Sequence, residues 1–123
     1  MNLKELSKQV YAANVAKGFY ENPTSVGERL ALSHSEVSEC LEADRQGRLK
    51  PSADPKYILR IEGEDRFVGN FRSEIKDTGA DEIADVIIRC LDFAAHEGMD
   101  IDSHVHAKLR YNATRAHKHG KNY

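Results

Sequence analysis

Apolar residues recur at steps of three and four along most of this chain, the spacing that forms one face of an α-helix. Asn22-Pro23 and Gly98 interrupt this pattern at positions where helices commonly end. Four long helices are predicted. The first two cover residues 3–20 and 25–45, the third follows residues 77–79 and runs to about 97, and the fourth begins near 102 or 103 and runs to about 115. Short connections between long amphipathic helices are typical of an all-α helix bundle.

Residues 47–63 lack the helical period and contain two prolines, which interrupt regular helices. We interpret this stretch as a loop that holds a short strand over residues 57–61. A short helix weakened by Gly69 follows, and it is predicted from three apolar residues at four-residue spacing, namely Phe67, Phe71 and Ile75. The chain is therefore expected to form a single domain of 123 residues with an irregular insert between its second and third long helices.

Two pairs of carboxylates lie at helical spacing. On the second long helix, Glu36 and Glu39 fall nearly opposite an apolar stripe, and Glu82 and Asp85 do the same on the third. The stripe of the second helix consists of Val26, Leu30, Val37 and Leu41. Residues three apart are neighbours on a helix surface, and four carboxylates brought together repel one another unless cations lie between them. Oxygen ligands favour Mg²⁺ or Mn²⁺, so the two pairs predict a site for one of these cations. The simpler alternative is that the carboxylates form a solvated acidic face on each helix.

The fourth long helix carries Lys108, Asn112 and Arg115 on one stripe. Lysine and arginine bind phosphate oxygens, and an asparagine amide can bind a base edge or hold a metal-ligand carboxylate. Beside the acidic pairs, this stripe predicts a site for a metal–polyphosphate complex. A basic solvated helix face is the alternative when the stripe is taken alone.

The formal net charge of −2 conceals an uneven distribution. The first 102 residues carry 13 basic and 20 acidic side chains, and the last 21 carry five basic and no acidic side chains. The chain has no apolar run of membrane-spanning length, so no membrane partner is expected. Cys40 and Cys90 lie in predicted helices and are interpreted as reduced core thiols of a cytoplasmic protein.

These motifs in this order resemble a known family. Glu36-x-x-Glu39 precedes Asp81-Glu82-Ile83-Ala84-Asp85-Val86, and Lys108-Leu109-Arg110-Tyr111-Asn112-Ala113-Thr114-Arg115 follows. The combination is similar to the MazG-like all-α nucleoside triphosphate pyrophosphohydrolases. The resemblance covers roughly residues 25–46 and 76–123 and implies their four-helix bundle.

The resemblance implies Mg²⁺-dependent hydrolysis of a nucleoside triphosphate to the monophosphate and pyrophosphate. We expect Mn²⁺ to substitute, because it also favours oxygen ligands. The resemblance assigns metal binding and catalysis to four carboxylates, namely Glu36, Glu39, Glu82 and Asp85. It implies that Lys108, Asn112 and Arg115 contact the phosphates or support the site. It also implies a homodimer or homotetramer, and the apolar residues Val86 and Phe93, which lie off the main stripe of their helix, predict an oligomer that buries them.

The base of the substrate must be recognised by residues outside these two sets. Tyr11, Asn14 and Tyr20 are candidates to stack on or hydrogen-bond to the base. We favour a purine such as dGTP, with a role in nucleotide-pool control or house-cleaning. One alternative is phosphoribosyl-ATP pyrophosphohydrolase activity on the same fold. Another is a non-enzymatic helical module whose basic end binds nucleic acid, although no nucleic-acid partner is expected if the basic end binds a triphosphate.

Overall fold

The computed structural model describes residues 1–122, apart from the side chain of His119, and its regular elements are helical. The six α-helices are α1 (Leu3–Ala16), α2 (Val26–Arg45), α3 (Pro55–Leu59), α4 (Glu64–Glu74), α5 (Gly79–His96) and α6 (Ile101–Ala113). A short 3-10 helix follows at His117–Gly120. No strand occurs within the described part of the chain, which confirms the all-α prediction. None of the helices described combines the length and apolar character needed to cross a bilayer.

The long helices begin where side chains cap their first amide groups. Asn2 accepts a hydrogen bond from the Glu5 amide at 2.8 Å, and Ser25 accepts one from the Glu28 amide at 3.0 Å. Such side-chain caps satisfy amide groups that have no partner within the helix. These local bonds explain why the predicted starts of α1 and α2 lie within one residue of the observed ones.

The predicted strand over residues 57–61 is wrong. Asp54 caps α3 by accepting from the Lys56 amide at 2.9 Å, and Pro55 occupies the first turn. A proline in the first turn has no hydrogen bond to lose and a backbone angle suited to a helix. The insert therefore holds α3 and the predicted short helix, α4, rather than irregular chain with a strand.

The chain divides into two compact units. The first comprises residues 1–22 and 91–122, with α1, α6 and the end of α5. Within this unit the Ser7 hydroxyl donates to the Leu91 carbonyl at 2.6 Å, and the Leu3 amide donates to Asp102 Oδ1 at 3.2 Å. Ser7, Leu91 and Ala94 are buried there. Tyr123, the end of the basic tail, lies outside the described residues.

The second unit comprises residues 23–90, with α2, α3, α4 and most of α5. Its buried apolar residues are Ala43, Ile58 and Ile75. Both cysteines are free, as predicted, but Cys90 is exposed and Cys40 is only half-buried. The prediction of a core thiol is therefore wrong for Cys90, which lies on a side of α5 that the fold does not cover.

Helix α2 turns an unexpected face inward. Its covered positions form a regular stripe of mostly polar residues, namely Arg29, Ser33, Glu36, Cys40 and Ala43. The apolar stripe remains between 43% and 52% exposed, and it consists of Val26, Leu30, Val37 and Leu41. Helix α2 therefore packs within its unit through the face that carries Glu36 and leaves its apolar face open.

Candidate metal centre and adjoining cavity

The start of α5 is anchored to the chain that follows α2. Gly47 ends α2 in a left-handed conformation, with a φ of 73° that favours glycine. The carbonyls of Arg48 and Leu49 then accept hydrogen bonds from the Gly79 and Ala80 amides at 2.8 and 3.0 Å. These bonds satisfy two of the amides that a helix start leaves unpaired.

Close backbone approach explains why glycine stands at the first position of α5. A Cβ atom at Gly79 would lie 2.6 Å from Leu49 Cδ1 and 2.9 Å from the Leu49 carbonyl oxygen. No larger side chain fits there without movement of the Leu49 backbone. Thr78 Oγ1 also accepts a hydrogen bond from the Asp81 amide at 3.3 Å and so caps the start of α5.

Three of the four predicted metal ligands converge. Glu36 from α2 and Glu82 and Asp85 from α5 each offer a carboxylate oxygen, and these oxygens lie within 4.8 Å of one another. Glu82 is only 9% exposed, and the other two residues are half-buried. The i, i+3 spacing on α5 and the inward polar stripe of α2 together produce this carboxylate trio.

Burial and neighbouring charges raise the pKa of two of these carboxyl groups, Glu82 and Asp85. Burial raises the pKa of Glu82 to about 7, and its hydrogen bond with Glu36 and the charges of Glu36, Asp85 and Asp81 add to the effect. Burial also raises the pKa of Asp85, as do the charges of Asp81 and Glu36, while Arg89 opposes the shift. A cation between the carboxylates would relieve the same repulsion that otherwise favours a bound proton.

Arg89 gives the trio a fixed counter-charge. Its Nε donates to Glu36 Oε1 at 2.8 Å, in an ion pair in which the Glu36 side chain is 14% exposed. This bond pairs Glu36 with a guanidinium and fixes the position of its Oε1 atom. Arg89 lies four residues after Asp85, one helical turn along the same face, and this spacing is the signal that could have identified it.

A second group of carboxylates shares Glu82. Oxygens of Asp77, Asp81 and Glu82 also lie within 4.8 Å of one another. The Asp77 amide donates to Asp81 Oδ2 at 2.9 Å, and Asp77 adopts a positive φ of 64°. Lys76 Nζ lies 2.9 Å from Asp77 Oδ2. Glu82 is therefore common to two oxygen-rich groups, and sequence reasoning assigned no ligand role to Asp77 or Asp81.

Glu39, the fourth predicted ligand, lies outside the trio but lines a cavity with Glu82. The cavity has a volume of about 310 Å³. Its lining residues are Glu39, Glu42, Ala43, Gln46, Arg48, Asp77 and Glu82. Within the described chain, no hydrogen bond or ion pair involves the exposed Glu39 carboxylate, which leaves it able to contact a ligand in the cavity. Its predicted role in metal binding stays a prediction.

The predicted phosphate contacts belong to the first unit, where Lys108 and Asn112 lie on α6 and Arg115 follows the end of that helix rather than extending its stripe. Lys108 Nζ and the Arg115 guanidinium lie 5.2 and 5.6 Å from the centroid of the Tyr111 ring, in cation–π geometry. Asn112 is half-buried, and its Oδ1 accepts no hydrogen bond from the residues that the structure describes. The phosphate-binding role of this stripe stays a prediction.

The predicted base contacts also lie in the first unit. Tyr20 stacks on His96 with ring centroids 4.6 Å apart, and Tyr11 meets the Tyr20 ring edge-on at 5.1 Å. The Tyr20 hydroxyl donates to Asp92 Oδ2 at 2.7 Å. Asn14 is half-buried, and its carbonyl accepts from the Phe19 amide at 3.1 Å. The structure thus brings Tyr11 and Tyr20 together around His96, and base recognition by these residues stays a prediction.

Comparison with protein-family models, curated proteins and solved structures finds no match to this chain.

Proposed function

We propose that this chain hydrolyses a nucleoside triphosphate to the monophosphate and pyrophosphate in the presence of Mg²⁺, on a bundle of the MazG-like type. One observation carries the proposal: Glu36, Glu82 and Asp85 converge from two helices, with Glu82 almost fully buried. Burial of an acidic group among other acidic groups is costly unless a cation or a proton compensates it. The adjoining cavity gives a ligand access to Glu82.

The donor set fits Mg²⁺. All of the clustered ligands are carboxylate oxygens, and neither of the two groups contains a histidine or a cysteine. Mg²⁺ prefers oxygen ligands, keeps several waters and is commonly bound by one or two carboxylates together with substrate phosphates. When bound, Mg²⁺ neutralises phosphate charge and acidifies water. Glu36, Glu82 and Asp85 would hold it, and Asp77 and Asp81 extend the ligand set beyond Glu82.

The protein side chains have separable roles in this proposal. Arg89 positions Glu36 through the 2.8 Å bond between its Nε and Glu36 Oε1. Glu36 therefore already hydrogen-bonds to Arg89 and Glu82. Glu39 lines the cavity with a carboxylate that no described residue engages, so it is the better candidate to accept a proton from an attacking water.

The first test is pyrophosphate release from a panel of nucleoside and deoxynucleoside triphosphates and phosphoribosyl-ATP, with Mg²⁺ or EDTA. We expect release from at least one triphosphate, and none in EDTA. Glu39→Gln should reduce release by about 100-fold or more, in the range lost with a general base, while the helical circular dichroism is unchanged. Glu28→Gln, on the same helix but outside the cavity, is the matched control and should retain activity.

Two outcomes would contradict the proposal. Absence of pyrophosphate release from the whole panel would exclude the activity, and salt-sensitive nucleic-acid binding in the same preparation would favour the helical binding module instead. Activity of Glu39→Gln close to that of the wild type would leave the reaction intact but reject the role of Glu39.

A further inference from the structure

One basic side chain lines the cavity beside the carboxylates. Of the seven lining residues four are acidic, and Arg48 is the basic one. It belongs to the stretch after α2 for which the sequence assigned no site residue. A guanidinium among four carboxylates is expected to form an ion pair with at least one of them.

Arg48 forms no such pair within the described chain. Its Nη2 donates to Gln46 Oε1 at 2.5 Å, and none of the carboxylates described approaches it within ion-pair distance. A guanidinium has five N–H donors in a planar fork. Most of these donors therefore remain available to a ligand, and the neutral Gln46 amide orients the group without neutralising it.

The backbone fixes the position of Arg48. Its amide donates to the Ala43 carbonyl at 2.7 Å, which closes the end of α2, and its carbonyl accepts from the Gly79 amide at 2.8 Å. The close contact between Gly79 and Leu49 holds the next residue against α5. The Arg48 backbone is thus tied to both of the helices that carry the carboxylate trio, at a cavity that Arg48 and Glu82 both line.

We propose that Arg48 binds a phosphate group of a polyphosphate ligand in this cavity. Arginine matches phosphate oxygens with two parallel hydrogen bonds. The four acidic side chains that line the cavity would repel a free polyphosphate, so binding requires Mg²⁺ at the carboxylates. The volume of about 310 Å³ is at the lower end of small-molecule pockets, which suits a polyphosphate chain better than a whole nucleotide. The inference rests on the proposed function for its metal, but it concerns binding rather than turnover.

Calorimetric titration of the full chain with inorganic tripolyphosphate tests this inference directly. Free Mg²⁺ is held equal in the cell and the syringe, so that chelation does not contribute heat. We expect binding by the wild type that is lost in EDTA. Arg48→Ala should weaken binding by about 10-fold or more, as expected for removal of charge-assisted hydrogen bonds. Lys50→Ala, an exposed basic residue two positions along the same loop and outside the cavity, should bind like the wild type.

Arg48→Lys distinguishes a phosphate contact made by the guanidinium from a purely structural role of the residue. It keeps the positive charge but loses the planar fork, so its affinity should lie between those of the wild type and Arg48→Ala. If Arg48→Ala does not fold, as judged by its helical circular dichroism, Arg48→Gln replaces it in the comparison. Free guanidinium at millimolar concentration should partly restore tripolyphosphate binding to the truncated variant, which a purely structural role would not allow.

The outcomes distinguish this inference from the proposed function. Tripolyphosphate binding that depends on Arg48, in a chain without pyrophosphate release, would support the polyphosphate site and reject the enzyme. Wild-type hydrolysis with equal tripolyphosphate affinity in Arg48→Ala would support the enzyme and overturn the role of Arg48. Unchanged tripolyphosphate affinity with an altered preference among bases would also overturn it, because Arg48 would then contact the base. Absence of tripolyphosphate binding by the wild type overturns the inference as well.

Discussion

Glu82 is the residue at which burial, charge and ligand access meet. It is 9% exposed, it hydrogen-bonds to Glu36, and it belongs to both groups of carboxylates. Without a cation, the least costly state of such a group is the protonated one. Burial among other carboxylates therefore makes Glu82 both a candidate metal ligand and a source of pH-dependent stability.

The stability of the metal-free chain should therefore fall as the pH rises through the range set by Glu82. Its pKa rises from 4.5 to about 7 on folding, so the folded chain binds the proton more tightly than the unfolded chain does. The stabilising contribution is complete below pH 4.5 and is lost as the pH rises through 7. Linkage converts the shift into about 3 kcal/mol at most. Urea unfolding in EDTA between pH 5 and 8.5 measures it.

Glu82→Gln removes the titrating group and keeps a hydrogen-bonding side chain of the same size. Its stability relative to the wild type should rise with pH and reach its largest value above pH 7. Glu62→Gln replaces an exposed loop carboxylate and should follow the wild type throughout. Parallel pH profiles for the wild type and Glu82→Gln would show that Glu82 does not gain proton affinity on folding.

At the scale of elements, the loop after α2 is hydrogen-bonded to the start of α5, the helix that carries Glu82 and Asp85. Gly79→Ala should destabilise the chain by about 1–3 kcal/mol, because the new Cβ meets both the side chain and the backbone of Leu49. The two amide–carbonyl bonds at this junction would be strained together. The midpoint of urea unfolding is the measurement.

Gly69→Ala is the matched control for that substitution. Gly69 lies inside α4, and a Cβ atom there would meet nothing within 4 Å. Alanine should therefore stabilise the chain by about 0.5–1 kcal/mol through helix propensity alone. Equal effects of the two glycine substitutions would mean that the contact between Gly79 and Leu49 does not constrain the fold.

The elements also show how far local sequence reasoning reaches. The starts of α1 and α2 were predictable because Asn2 and Ser25 act on amides three residues away. Helix α3 was not, because five residues are too few to display a period, although Asp54-Pro55 is a start signal in retrospect. Spacing also identified the carboxylate pairs. Arg48 was missed because nothing local in the sequence shows that Asp77 and Glu82 line one cavity with Arg48 and the end of α2.

At the scale of the whole molecule, apolar surface remains that the chain does not cover. The α2 stripe is about half exposed, and α5 adds Ile83, Ile87 and Ile88 at 42–50% exposure. The sequence instead pointed to Val86 and Phe93, which are both half-buried, so these are not the residues that the fold leaves most exposed. Contiguous exposed apolar residues on helices commonly mark protein interfaces. Periodicity predicts such a stripe but not whether its own chain or another covers it.

We expect a homo-oligomer in which a second copy covers this surface. Sedimentation at micromolar concentration should give a mass at least twice the 13.8 kDa of one chain. A buried charge without a partner is costly, so Leu41→Glu and Ile87→Glu should each shift the population toward monomer. Ser35→Glu is the control, because at about 100° per residue it lies well away from the α2 stripe.

A stable 13.8 kDa wild-type species would contradict the expectation, and equal dissociation by all three variants would place the interface elsewhere. Retained helical circular dichroism in the dissociated variants is required, since unfolding would also change the mass observed.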